Sequence, residues 1–429
     1  MANPQHRPQH RSVNRSIVVI GGGIAGISAA VEAAEAGYDV TIVERNPYIG
    51  GRVAQLNRYF PKLCSPTCGL EINFQRIKKN PRIRFLTMAK VTSIGGQPGD
   101  FDVSVTQHPR YVNDRCTTCG ACAEVCPETR TDPYNLNMNT TTAIHLPHAM
   151  AFPMKYMIDD TACKPQACGR CVEVCEYGAI DLAMQSRSVQ LKAGAVIMAT
   201  GWKPYDAARI DNLGFGHHTD IVTNMMMERL AAANGPTGGR LTRPSDGRKV
   251  KRIAFVQCAG SRDALHLGYC SAICCLASLK QASYVIERHP DAEITIFYID
   301  LRTPGGYDAF SRKIQASGNV NLIKGKVAKI VQENGDLVVE AEDTLALAKR
   351  RVAVDMVVLA SGMASAMDNG KPKADIAFDD DHFVAADETA PGIFAAGCAR
   401  GPVDVATAVQ DATAATMKAI GAIQNAARG

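Results

Sequence analysis

The first sustained apolar run, Ile17-Val18-Val19-Ile20, carries no polar interruption, which predicts a short strand covered on both faces. Glycines follow it, and then an alanine-rich stretch from Ile27 to Ala36 that predicts a helix. A second apolar run, Val40 to Val43, predicts a neighbouring strand that ends at Glu44. The theme returns later: Arg252 to Gln257 predicts a strand, Ala277 to Val285 a helix, and Ile294 to Ile299 a strand ending at Asp300. Strands alternating with helices predict an α/β protein with parallel sheets. The pattern breaks between Phe101–Val105 and Ser188–Leu191. From about Tyr111 to Gln185 long helical patterns are absent, and the flanking segments predict the two arms of a hairpin. The stretch between them is therefore an insertion at a loop tip, where insertions are tolerated.

The 429 residues should hold roughly two to four domains. The 46% hydrophobic content is ordinary for a soluble protein, and a net charge of +5 with scattered basic residues gives no case for nucleic acid. Residues 1–15, rich in His, Arg, Pro and Gln, read as a disordered tail. The first apolar run leads straight into the glycines, unlike a signal peptide. No apolar run approaches the roughly 18 residues that span a bilayer. A cytoplasmic protein is expected.

The glycines change the picture first. Gly21-x-Gly23-x-x-Gly26 lies between a strand and a helix, with Glu44 closing the next strand; this is the context a dinucleotide-binding loop requires. Gly21 permits the turn, Gly23 lets the backbone approach a pyrophosphate, and Gly26 allows close helix–strand packing. Ile24 and Ala25 complete the loop, the helix N-terminus favours the negative charge, and Glu44 lies where an acid meets a ribose hydroxyl.

Cysteine changes it further. Of fifteen cysteines, twelve fall into three sets of four. Cys116, Cys119, Cys122 and Cys126, followed by Pro127, form the Cys-x2-Cys-x2-Cys-x3-Cys-Pro run of bacterial two-cluster ferredoxins. Cys163, Cys168, Cys171 and Cys175 nearly repeat it, with a longer first gap and Glu176 in place of proline. In such ferredoxins the fourth cysteine of each run serves the other cluster. That assigns Cys116, Cys119, Cys122 and Cys175 to one cluster, and Cys163, Cys168, Cys171 and Cys126 to the other. Zinc knuckles are the competing reading, disfavoured by two near-repeats with Cys-Pro. The third set is Cys258, Cys270, Cys274 and Cys275. It falls where the strand Arg252–Gln257 should run into a second nucleotide loop, yet Cys258-Ala259-Gly260 is no such loop. Four thiols at a strand end and a helix start can seat a cluster; buried structural thiols are the alternative.

Several segments carry a resemblance. Gly50-Gly51-Arg52, Ala199-Thr200-Gly201 and the late Pro391–Gly397 strand are similar to flavin-contacting segments of thioredoxin-reductase-like flavoproteins. The resemblance implies FAD, and adds Arg45 and Val91 to its contacts. In that family an Asp follows the last glycine and holds the ribityl chain; here the residue is Cys398, which places that contact in question. The order of FAD loop, inserted two-cluster ferredoxin, third cysteine set and late Gly397-Cys398-Ala399-Arg400-Gly401-Pro402 resembles the A subunit of heterodisulfide reductase, in the compact form found in the bacterial sulfur-oxidising heterodisulfide-reductase-like complex. The resemblance runs from Ser16 to the C-terminus. It implies a thioredoxin-reductase-like two-domain Rossmann-type flavoprotein with FAD, three [4Fe-4S] clusters and an inserted bacterial-type ferredoxin domain. It also implies a homodimer that exchanges electrons with B- and C-type partner subunits, where the thiol or sulfur chemistry lies. The expected division is 16–108, 187–250 and 346–429 for the FAD domain, 109–186 for the ferredoxin, and 251–345 for a degenerate NAD-like domain.

Cys64 and Cys68 sit in a Pro- and Gly-containing loop entering a helix. Redox thiols near the flavin and two structural thiols are both open readings. Arg52 and Lys62 are candidates for a cation near the flavin. An electron-transfer oxidoreductase is the leading function. An NAD(P)H-dependent flavin oxidoreductase and a non-catalytic iron–sulfur scaffold are the alternatives.

Overall fold

The structure is a computed structural model that describes residues 13–164, 168–367, 370–385 and 389–428. Its first sheet has five parallel strands in the order Ile393–Ala395, Ala195–Met198, Ser16–Ile20, Asp39–Val43 and Ile83–Leu86. The opening strand lies at the centre because Ile17, Val18 and Val19 are apolar towards both faces and are fully covered. Helix Ile24–Glu35 packs against the C-terminal helix Val405–Arg428 on one face. Both present alanines there, among them Ala29, Ala33, Ala412 and Ala415, all buried. Small side chains let the two backbones approach, and Thr416 Oγ1 donates across to the Ala29 carbonyl at 3.3 Å.

The second sheet is also parallel and five-stranded: Ile221–Thr223, Met356–Ser361, Arg252–Ala259, Glu293–Tyr298 and Val320–Lys324. This corrects the expected boundaries. Residues 221–223 and 356–361 belong to the second sheet, not to FAD-domain segments ending at 250 and resuming at 346. The run Met356–Ala360 is apolar and buried, as any strand central to a parallel sheet would be, so its composition does not say which sheet it enters. The chain crosses between sheets through Trp202–Pro204 and Met363–Ser365, which pair antiparallel.

The predicted hairpin arms pair directly. Val105 faces Val189 and Leu191 faces Val103, so the chain leaves the sheet at Gln107 and returns at Arg187. Of the expected tail, residues 1–12 lie outside the described residues. Its last part is held: Asn14 N donates to the Gly99 carbonyl at 2.9 Å, and Arg15 lies over the Tyr38 ring.

Arg229, on helix Asn224–Ala231 beside the second sheet, is wholly buried. Its Nε donates to Asn135 Oδ1 of the insertion at 2.8 Å, and Nη1 to the Gln55 carbonyl of the first domain at 3.2 Å. Its guanidinium covers the Tyr134 ring at 4.5 Å. One side chain thus joins all three parts.

Candidate functional site

A cavity of about 540 Å³ opens at the C-terminal ends of the first sheet's strands, where ligands of open α/β sheets bind. Gly21, Gly23, Ile24, Ala25, Glu44, Arg45, Gly51, Arg52, Val91, Ala199, Thr200, Gly201 and Cys398 line it. Gly26, Gly50 and Gly397 do not. Gly26 works from beneath: a Cβ there would lie 1.9 Å from the Gly21 carbonyl oxygen, so only glycine lets the helix pack this close. Gly23 is different. A Cβ there would meet nothing nearer than Gly51 Cα at 3.9 Å, which leaves its face open to the cavity. The helix N-terminus, the glycine cradle and this free space fit a dinucleotide pyrophosphate.

Glu44 is buried, and burial raises its pKa. Its Oε2 accepts from Gly22 N at 2.6 Å, and its Oε1 from Asn46 N at 2.8 Å. These bonds fix the carboxylate while leaving lone pairs for a ribose hydroxyl. Arg52 donates Nη1 to Gln55 Oε1 at 2.9 Å, and burial lowers its pKa. Lys62, the other candidate cation, is exposed and does not line this cavity.

A smaller cavity of about 120 Å³ continues from the first, sharing Arg52, Trp202, Val403 and Asp404 with it. Its far wall is Ile273, Leu276 and Ala277, beside the third cysteine set. Here lies a buried ion pair, Lys280 Nζ to Glu228 Oε1 at 3.1 Å. Lys280 also donates to the Arg58 carbonyl at 2.6 Å, while Gln281, Tyr284 and Asn57 N–H donate to Glu228. These bonds occupy the pair's remaining donor and acceptor positions, which a buried ion pair requires.

In the third set, Cys258 ends a strand with φ of 56°, and Cys274 and Cys275 open helix Cys274–Arg288. Cys258, Cys274 and Cys275 are buried and Cys270 is half-buried. Burial, with the neighbouring sulfurs, pushes the Cys258 and Cys274 thiols up. Arg262 hydrogen-bonds Cys258, and Cys275 Sγ meets the Asp300 carbonyl at 3.3 Å. Thiols that resist joint ionisation suit a polycationic iron core, which would neutralise them together.

In the insertion, Cys116, Cys119, Cys122 and Cys175 line one small cavity. Burial and the neighbouring Cys116, Cys119 and Cys171 push Cys122 up to about 12. Cys126 instead neighbours Cys163 and Cys171, whose thiols are pushed up by burial and by nearby sulfurs that include Cys126 and Cys168. Cys122 and Cys171 sit on matching four-residue helices, Ala121–Glu124 and Arg170–Glu173. Among the described residues no three His, Cys, Asp or Glu side chains converge on one ion. A four-iron cube takes one thiolate per iron, so its ligands need not meet at a point.

Cys64 and Cys68 flank Tyr59 at the start of helix Pro66–Lys79 and line neither cavity. Tyr59 itself lines the smaller cavity, so the two cysteines stand one residue behind its wall. Asp404 was missed. It caps the C-terminal helix, its Oδ1 accepting from Thr407 N at 2.7 Å, and it lines both cavities. An acid just after the Gly397–Pro402 turn and before a long helix was the available signal.

An FAD-dependent oxidoreductase family model matches residues 16–69. The chain is 38% identical over 419 residues to the A subunit of the ferredoxin/F420H2-dependent CoB-CoM heterodisulfide reductase of Methanosarcina acetivorans, covering 94% of this chain and 52% of that protein. It is 37% identical to the iron-sulfur A subunit of the CoB–CoM heterodisulfide reductase of Methanocaldococcus jannaschii, covering 94% and 63%. Over 94% of its length the chain is homologous to A subunits of heterodisulfide reductases. It spans between about half and two thirds of these relatives' length. Two thioredoxin reductases share its fold. That of T. acidophilum has a TM-score of 0.51 at 15% identity, covering 95% of this chain and 98% of that one. That of Lactococcus lactis has a TM-score of 0.51 at 13% identity, covering 96% and 99%.

In this chain Asp404 offers what Cys398 does not. Burial pushes the Cys398 thiol up to about 11, and its Sγ faces the Val403 carbonyl at 3.5 Å, so it is a poor acceptor. Replacing Asp404 by serine keeps a helix cap and removes the carboxylate. That variant should weaken FAD binding about tenfold to a hundredfold, the size of one hydrogen bond to a charged group. Titration of flavin-free protein with FAD checks it, and unchanged affinity would remove Asp404 from the site.

Proposed function

We propose that this chain is the FAD and iron–sulfur electron-transfer component of a heterodisulfide-reductase-like complex, serving thiol, disulfide or sulfur-compound redox metabolism. The observation that carries the reading is the third cysteine set. It occupies the strand end and helix start of the second sheet, where a nucleotide loop would otherwise lie, and the helix it opens walls a narrow cavity that adjoins the first nucleotide site.

FAD, when bound, supplies two-electron chemistry, and clusters supply one-electron steps. The chain's residues do the rest. Gly21 to Ala25 would hold the pyrophosphate and Glu44 a ribose. Arg52 and the Lys280–Glu228 pair set the charge around the inner cavity. Cys258, Cys270, Cys274 and Cys275 would hold one cluster; Cys116, Cys119, Cys122 and Cys175 a second; Cys163, Cys168, Cys171 and Cys126 a third. The apolar wall of Ile273, Leu276 and Met363 limits water between flavin and thiols. B- and C-type partner subunits carry the sulfur chemistry, the chain works as a cytoplasmic homodimer, and Cys64 and Cys68 are not needed for the relay.

Anaerobically purified protein should contain about 12 iron atoms, matching acid-labile sulfide and one FAD per chain, as three four-iron clusters require. Iron near eight atoms would remove the third cluster. Rapid bleaching of the flavin by NADH alone would instead favour an NAD(P)H-dependent flavin oxidoreductase.

A further inference from the structure

The nucleotide cavity is not built by the first domain alone. Arg130, Asp132, Tyr134, His145 and Met157, all from the insertion, line it together with Glu44 and Arg45. The acid-bearing end of the second strand marks the ribose side, so the insertion closes over the adenosine half. His145 and Met157 face each other on a two-residue antiparallel ladder, and both are buried. The wall is sewn to the first domain at several points. Ile49 N donates to the Phe152 carbonyl at 2.9 Å, Tyr134 Oη to the Ala54 carbonyl at 2.6 Å, and Gln55 Nε2 to the Tyr134 carbonyl at 3.0 Å. Arg110 donates to the Pro47 carbonyl and, at 2.9 Å, to the Lys155 carbonyl. Tyr156, next to Met157, lines the cavity of Cys116, Cys119, Cys122 and Cys175. Consecutive residues therefore touch the nucleotide cavity and a thiol set.

We propose that the inserted module is the outer wall of the FAD site, and that assembly of the Cys116 cluster tightens binding of the adenosine half through the Tyr156–Met157 segment. This rests on the reading of the chain as a flavoprotein. The hydrogen bonds to the first domain hold the segment from one side; a cluster on Cys116, Cys119, Cys122 and Cys175 would hold it from the other, through Tyr156. The coupling is reciprocal, so bound FAD also favours retention of that cluster.

The test uses the full chain, reconstituted anaerobically, stripped of flavin and titrated with FAD, with ADP as competitor. Met157→Ala shortens the wall without touching a thiol. It should raise the FAD dissociation constant about tenfold and weaken ADP competition in the same ratio, with iron content unchanged. Cys119→Ser should lose iron and weaken FAD and ADP alike. FAD affinity within about twofold of the parent in both variants would overturn the proposal. So would weaker FAD binding with unaltered ADP competition, since the wall would then not face the adenosine half. A parent chain that binds no FAD would instead overturn the flavoprotein reading itself.

Discussion

Replacing Gly23 by leucine should give a folded, iron-containing protein without flavin. Gly23 has φ of −76° and an open face, so a side chain strains neither backbone nor neighbours. It caps helix Ile24–Glu35 without a side-chain bond, and loss of glycine there costs about 1 kcal/mol of stability or less. The same side chain would stand in the space open to a pyrophosphate. Losing two charge-assisted backbone hydrogen bonds costs about 3–6 kcal/mol, or about a hundredfold to ten-thousandfold in affinity. Flavin absorbance, iron content and thermal stability on one preparation separate the effects. Normal flavin occupancy would refute the loop's role. Gly26 makes the contrast, since a side chain there would collide with the Gly21 carbonyl and break the fold itself.

Cys274→Ser should have the opposite signature. Cys274 is buried at the head of its helix, with the sulfurs of Cys258, Cys270 and Cys275 as its electrostatic neighbours. Serine is a weak iron ligand, and one lost corner destabilises a cube. Iron should fall by about four atoms per chain with flavin retained. A serine hydroxyl in this buried place costs about 1–3 kcal/mol if unpaired, so some loss of thermal stability is expected as well. Unchanged iron would refute the ligand set. Electron paramagnetic resonance of the reduced variant would identify which signal disappears.

What the sequence disclosed was mostly local. The glycine loop, its two strands and the insertion's hairpin arms are contiguous patterns whose apolar periods or spacings suffice to place them. Cysteine spacing marked three groups because a cluster's ligands cluster along the chain. The fate of Met356–Ser361 was hidden, because a buried parallel strand looks the same whichever sheet receives it. The insertion's share of the nucleotide cavity was hidden too. Arg130, His145 and Met157 share a cavity with Glu44 across about a hundred positions of chain, and nothing in their own neighbourhood announces it. Asp404 lay in between: the helix start was legible, but not that its cap faces two cavities. Cys64 and Cys68 show the reverse, a conspicuous pair that lines neither cavity.

Arg229 bears on how the whole molecule can work. Freeing its guanidinium from Asn135 and the Gln55 carbonyl would strand a charge among apolar and aromatic groups, a penalty on the order of 3–5 kcal/mol. A swinging arm that ferries reducing equivalents by rotating one half against the other would meet that penalty in each cycle. The design suits a soldered circuit: gaps between carriers are set once, at folding, and throughput depends on the driving force across them.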